Sequence, residues 1–290
     1  MIREIEAKML LAHVKQPDHW FGLKYNMNLY RGCQHQCIYC DSRSLCYGIE
    51  DFRDVLVKVN AVDLLAAELA RKRVKGMIGT GSMNDPYGPV EKSRRLTERA
   101  LEVIARFRFP VHVLTKSDLV LRDVDILQQI SDVHALVSFT VTTADDGLAR
   151  KVEPGAPRPS RRFAAMRELS KRGILTGVLL MPLLPFIQDN EENIRQIVGQ
   201  AADSGASYII PAFGMTLRDR QRAYYYDALD REFPGLREQY ERAFGEAYHC
   251  RAQGADRLYE LFYELCERYA IRTRVIPYAP EPDTRQLSLF

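Results

Sequence analysis

No apolar run in this 290-residue sequence is long enough to span a bilayer. The longest, residues 174–187, is interrupted by Pro182 and Pro185, whereas a transmembrane helix needs about 20 apolar residues. The first ten residues, MIREIEAKML, mix acids and bases without an apolar core, so no secretory signal is expected. An excess of one charge is also missing. With 41 Lys+Arg against 38 Asp+Glu the net charge is +3, too small to mark a nucleic-acid binder; local patches decide instead. The six cysteines, Cys33, Cys37, Cys40, Cys46, Cys250 and Cys266, are too few and too unevenly spread for a disulfide scaffold. There is no internal repeat and no low-complexity segment. What remains is an ordinary globular composition, 46% hydrophobic and 27% charged, expected in a cytoplasmic, thiol-reducing setting with no membrane partner.

Short β-rich runs alternate with helical stretches from about residue 60 to 215. Residues 76–82, 111–116, 134–141, 174–182 and 207–214 read as strands. Residues 62–73, 92–107, 123–131, 159–172 and 190–204 read as helices; in 92–107 the apolar residues Leu96, Ala100, Leu101, Ile104 and Phe107 fall at helical spacing. With NMNLYRG (26–32) placed first, this gives six βα steps. Strands separated by helices pair in parallel. The sheet is either open and doubly wound or a full or partial barrel, and in each case the chemistry belongs at the C-terminal strand ends. After residue 215 the chain turns helical, with a break at 233–236, helices to about 270 and a short strand at 273–278. The expected organisation is 1–215, a helical extension over 216–278, and a flexible tail over 279–290.

Four cysteines fall within residues 33–46, and Cys33, Cys37 and Cys40 form C-x3-C-x2-C just after the first strand. Three thiolates on one tight loop can hold three irons of a [4Fe–4S] cluster and leave the fourth iron open. Zinc would need a fourth ligand, which Cys46 or His35 can supply. Packed inert thiols and a redox dithiol are the other readings.

Tyr39, immediately before the last cysteine, brings the motif to C-x3-C-x-aromatic-C, which resembles the radical S-adenosylmethionine (SAM) superfamily. That resemblance implies SAM chelated to the open iron and cleaved to a 5′-deoxyadenosyl radical. GSMNDPY (81–87), VLTKSD (113–118), LVSFTVT (136–142), VEPGAPRPSRRFAAMRELSKRGI (152–174) and GVLLMPLLP (177–185) look like the spore photoproduct lyase branch, which repairs a thymine dimer in DNA. The resemblance implies a partial (βα)6 barrel with a mainly helical C-terminal extension. It also implies that Asn84 and Asp85 meet the SAM ribose, Lys116 the methionyl carboxylate, and Ser138 the SAM site, while Met181 packs its backbone on adenine and Tyr39 lies near cluster and adenine. Ser82 belongs to the same site, at the position where the lyase carries the cysteine that returns a hydrogen atom. A serine O–H bond is far too strong for that step, so Tyr87 and Cys250 are the candidate donors.

The last five residues, Gln286, Leu287, Ser288, Leu289 and Phe290, look like the bacterial sliding-clamp binding pentapeptide. Arg218, Arg220 and Arg222 beside Tyr224, Tyr225 and Tyr226, and a second group of Arg158, Arg161 and Arg162, suit phosphate contact and base stacking or, equally, a solvated helix face. The expected function is a radical SAM enzyme acting on damaged or modified DNA, supplied with electrons by a flavodoxin or ferredoxin. A radical SAM enzyme for RNA or a peptide, and a non-catalytic metal-binding DNA-associated protein, are the alternatives.

Overall fold

The structure, a computed structural model, describes residues 1–15, 20–49 and 51–279. The clamp-like pentapeptide lies outside the described residues.

Six parallel strands carry the fold: β1 (Tyr25–Met27), β2 (Ile78–Thr80), β3 (Val111–Thr115), β4 (Ala135–Thr140), β5 (Leu175–Leu180) and β6 (Tyr208–Pro211). They pair in sequence order, with Leu11–His13 antiparallel against β1 at one edge and β6 at the other. Order settles the architecture. A doubly wound sheet reverses strand order at a switch point; here each crossover returns to the adjacent position, as in a barrel wall that does not close.

One face of the sheet packs on helices through Val111, Val113, Val137, Phe139, Val178 and Ile209. The other encloses Leu136, Leu179, Tyr208 and Ile210, against which Phe21, Leu23 and Tyr278 pack. Strands covered on both faces become nearly continuous apolar runs, and each buried branched side chain contributes about 1.5–3 kcal/mol. Two glycines make room inside: a Cβ on Gly79 would meet Leu23 at 2.4 Å, and one on Gly177 would meet the Tyr208 ring at 2.2 Å.

Several elements differ from the sequence expectation. Residues 26–32 are not one strand. β1 joins the main sheet, and Tyr30–Arg31 joins a separate three-stranded sheet with Ile2–Ile5 and Val55–Lys58. The helix expected over 92–107 breaks at Arg95, whose φ is +49°. The buried Glu91 carboxylate takes the Thr97 N–H at 3.1 Å and so starts a second helix, Leu96–Arg106. Asp145 caps an unforeseen helix, Asp146–Val152, by accepting from Gly147 N and Leu148 N. The run 207–214 ends at Pro211, and Gly214–Thr216 pairs instead with His249–Arg251. Residues 273–278 form no strand; a single bridge links Arg272 to Tyr208.

Beyond residue 216, helices Asp219–Glu232, Leu236–Phe244 and Ala255–Arg268 follow. Among the described residues no helix is long and apolar enough to cross a membrane.

Candidate active site

The cysteine loop leaves the strand Tyr30–Arg31 through Gly32, which takes φ +79° and where a Cβ would lie 2.0 Å from the Asp54 carbonyl oxygen. Only glycine makes that turn without moving the backbone. Gln36, also at positive φ, closes the loop by donating its amide to the Cys33 carbonyl. Cys37 is buried, and Cys33 and Cys40 are half-buried. Burial pushes the Cys33 and Cys37 thiols up to about 12 and Cys40 up to about 11. Without a cation they stay protonated, and a metal bound there would draw them into the thiolate form.

Asp85 ties this loop to the strand ends. Its Oδ1 accepts from Tyr87 N at 2.9 Å and Thr115 Oγ1 at 2.7 Å. Its Oδ2 accepts from Lys116 N at 2.7 Å and faces His35 Nε2 at 3.2 Å. Burial alone would raise this carboxyl. The His35 charge and the hydrogen bonds from His35, Thr115 and Lys116 more than offset burial and hold it well below the usual carboxylate range. The other His35 nitrogen lies 3.0 Å from the Gly155 carbonyl oxygen. Asn84 is buried beside Asp85, and its Oδ1 has no partner among the described residues.

A second support lies under Tyr39. Its hydroxyl donates to Glu153, which is also bonded to Arg162. Arg162 is fully buried, with Nη1 on the Thr140 carbonyl and Nε on the Pro157 carbonyl, each at 2.8 Å. Lys116 Nζ stands 5.8 Å from the centre of the Tyr39 ring and makes no hydrogen bond among the described residues. Burial disfavours its charge, but Cys37 and Glu153 outweigh that and raise its pKa.

A cleft of about 630 Å³ opens at the C-terminal strand ends. Tyr39, Cys40, Ser82, Met181 and Cys250 all border it, together with Pro182, Phe213 and Tyr259. Asn84, Asp85 and Lys116 sit on the adjoining strand ends outside its walls. Ser138 does not reach it: the Oγ is held by His112 Nε2 and the Tyr208 hydroxyl, each at 2.7 Å, on the buried face of the sheet. Tyr87 does not reach it either. Its hydroxyl donates to Asp123 at 2.9 Å, and the ring borders a different hollow with Lys92 and Arg122. Cys250 packs with Met215, Tyr225, Tyr226 and Tyr240, and burial pushes its thiol up to about 11, so it carries its hydrogen at neutral pH.

The zinc reading finds no support. Among the described residues no three His, Cys, Asp or Glu side chains converge as single-ion ligands. His35 is engaged by Asp85 and Gly155, and Cys46 lies exposed beside Ser44 and Arg218. The arginine groups are corrected in part: Arg158 and Arg161 are exposed, the latter on Asp118, while the others are engaged within the protein. Arg162 is interior. Arg222 donates to the Gly245 and Ala247 carbonyls, Arg220 to the Arg43 and Ile49 carbonyls, and Arg218 pairs with Asp41. Tyr225 and Tyr226 are buried. Arg218 and Arg220 fasten the extension to the cysteine loop, and Arg222 braces the extension internally, rather than facing phosphates. Glu153, and the roles that His35 and Arg162 play here, escaped sequence reasoning because the partners are distant: Tyr39 and Glu153 are separated by 114 positions.

A model of the Radical SAM superfamily matches residues 27–198, more than half of the chain. An uncharacterized protein of Methanocaldococcus jannaschii is 35% identical over 202 residues, 69% of this chain and 72% of that protein. An uncharacterized protein of Mycobacterium bovis is 29% identical over 269 residues, 90% of this chain and 78% of its own. Among solved structures, a spore photoproduct lyase variant has a similar fold, with a TM-score of 0.71 at 17% identity over 92% of this chain and 79% of its own. The lyase complexed with dinucleoside spore photoproduct gives 0.70 at 16% identity over the same shares.

Proposed function

The chain belongs to the radical SAM superfamily, and on that premise we propose that it acts on a damaged or modified base in DNA. As a radical SAM enzyme it uses a [4Fe–4S] cluster and SAM, and it needs an external reductant; a flavodoxin or ferredoxin suits that role. When bound, cluster and SAM supply a radical able to take a hydrogen atom from an unactivated carbon.

The residues present fit those groups. Cys33, Cys37 and Cys40 are the cluster ligands in this reading, three thiols on one loop that do not converge as ligands of a single ion. Lys116 offers to the methionyl carboxylate an ammonium that makes no hydrogen bond among the described residues. Asn84 offers an orphaned buried oxygen to a SAM hydroxyl or amine. Asp85 is a positioning residue: its four contacts occupy both oxygens, so it orients the loop and Lys116 rather than touching the ribose. Tyr39, steadied by Glu153, and Met181 wall the cofactor side, and Ser82 faces the substrate side.

One observation carries the DNA reading. The cleft reaches Cys40 from the strand ends, in a fold shared over 92% of the chain with an enzyme whose structure holds a dinucleoside lesion. Its volume of about 630 Å³ lies in the range of small-molecule sites and is shared between SAM and substrate in this reading, and a base in duplex DNA must be flipped out to enter. Serine at position 82 argues that spore photoproduct itself is not the substrate, and Cys250 is the remaining hydrogen-donor candidate on the cleft.

The test is 5′-deoxyadenosine formation by reconstituted enzyme with damaged DNA, RNA or peptides. The reading expects stimulation by DNA alone; stimulation by RNA or a peptide instead refutes it. The pentapeptide is the recruiting element in this reading, through a sliding clamp, and deletion of residues 286–290 should abolish association with the clamp.

A further inference from the structure

Arg43 is a buried cation without a carboxylate. Only 6% of it is exposed, and no ion pair engages it among the described residues. Its guanidinium lies 3.6 Å from the centre of the Tyr224 ring and 4.8 Å from that of Phe52. Nη2 donates to Gln36 Oε1 at 2.7 Å, inside the cysteine loop. Its Nε–H is buried and has no partner among the described residues. Buried charges are kept in folded proteins when something of opposite sign compensates them. The groups that favour the Arg43 charge, against its burial, are Tyr224 and then the sulfurs of Cys40, Cys37 and Cys33.

We propose that Arg43 is the counter-charge of the iron–sulfur cluster and sets its reduction potential. This rests on the reading of Cys33, Cys37 and Cys40 as the ligands. Three thiolates outweigh the positive charge of the core, and taking up one electron from an external reductant adds a further negative charge. A fixed cation in a low-dielectric wall therefore stabilises the reduced state more than the oxidised one. Arg43 suits the task because it cannot lose its proton. Tyr224 and Phe52 fix its plane, and Gln36 couples it to the same loop that carries the ligands. Lys116 is a second cation beside Cys37, but its charge is shared with Glu153 and Asp85 and, in the reading above, with the methionyl carboxylate.

The experiment is an anaerobic potentiometric titration of the cluster in wild type, Arg43→Gln and Arg43→Lys, followed by visible absorption and electron paramagnetic resonance. Removing the charge should lower the equilibrium constant for reduction at least tenfold, about 59 mV for a one-electron couple; Arg43→Lys should keep most of the wild-type value. Equal potentials in wild type and Arg43→Gln overturn the inference and leave the ligand reading standing. A wild type that binds no cluster overturns both. Should Arg43→Gln fail to load iron, the unfolding of the metal-free proteins decides. A counter-charge role leaves metal-free Arg43→Gln at least as stable as metal-free wild type, because an unpaired buried charge is gone. A clear loss of stability marks Arg43 as a structural tie and refutes the proposal.

Discussion

Replacing Asp85 by Asn tests whether one carboxylate holds the cysteine loop on the strand ends. The side chain is 7% exposed and serves four neighbours, two on each oxygen. An asparagine keeps its carbonyl oxygen toward Tyr87 N and Thr115 Oγ1, but its NH2 then points at the Lys116 N–H. Two contacts to a charged acceptor are lost, at about 1.5–3 kcal/mol each. Relief of a buried charge returns part of this, leaving a net loss of about 2–4 kcal/mol. The assay is urea unfolding of the metal-free, reduced protein with the iron content of the reconstituted form beside it. A loss below about 1 kcal/mol with full iron loading refutes the reasoning. The pH dependence gives a second check. Asp85 titrates lower in the folded protein than its ordinary 3.8. Its contribution is therefore fully present above 3.8 and lost as pH falls through the lower, folded-state value. The gap between wild type and Asp85→Asn should narrow as pH falls below 4.

Single Ala substitutions of Cys33, Cys37 or Cys40 should each remove most cluster iron, while Cys46→Ala and Cys266→Ala keep it; iron and sulfide analysis after reconstitution separates the two sets. Lys116→Met should weaken SAM binding roughly 10- to 100-fold, the value of one charge-assisted contact, as read by equilibrium dialysis, with cluster absorption unchanged. With serine at position 82, wild type should not repair spore photoproduct; chromatography of irradiated dinucleotide after incubation would reveal efficient repair and overturn that expectation.

The parallel order was legible because strands buried on both faces become apolar runs punctuated by amphipathic helices. The cysteine loop was legible because cluster chemistry fixes local spacing. Less was readable where meaning depends on distant partners. Ile2–Ile5 is mostly exposed and carries Arg3 and Glu4 side by side at its centre, so it offers no alternation to read until Val55–Lys58 pairs with it. Ser138 falls within a strand in sequence, and which face it takes is not readable there; the pleat turns its hydroxyl toward His112, whose own pKa burial lowers to about 3. The Arg218, Arg220 and Arg222 series has the composition of a phosphate-binding face. Backbone carbonyls and Asp41 claim those guanidiniums instead, a pairing that composition does not carry.

The most direct measurement of the central claim uses fully deuterated DNA bearing damaged and modified bases. It is incubated anaerobically with the reconstituted enzyme, SAM and reductant, and the product is read by mass spectrometry. Deuterium in 5′-deoxyadenosine, absent with undamaged DNA, is the predicted result. Unlabelled 5′-deoxyadenosine at the same rate with and without DNA would contradict the account.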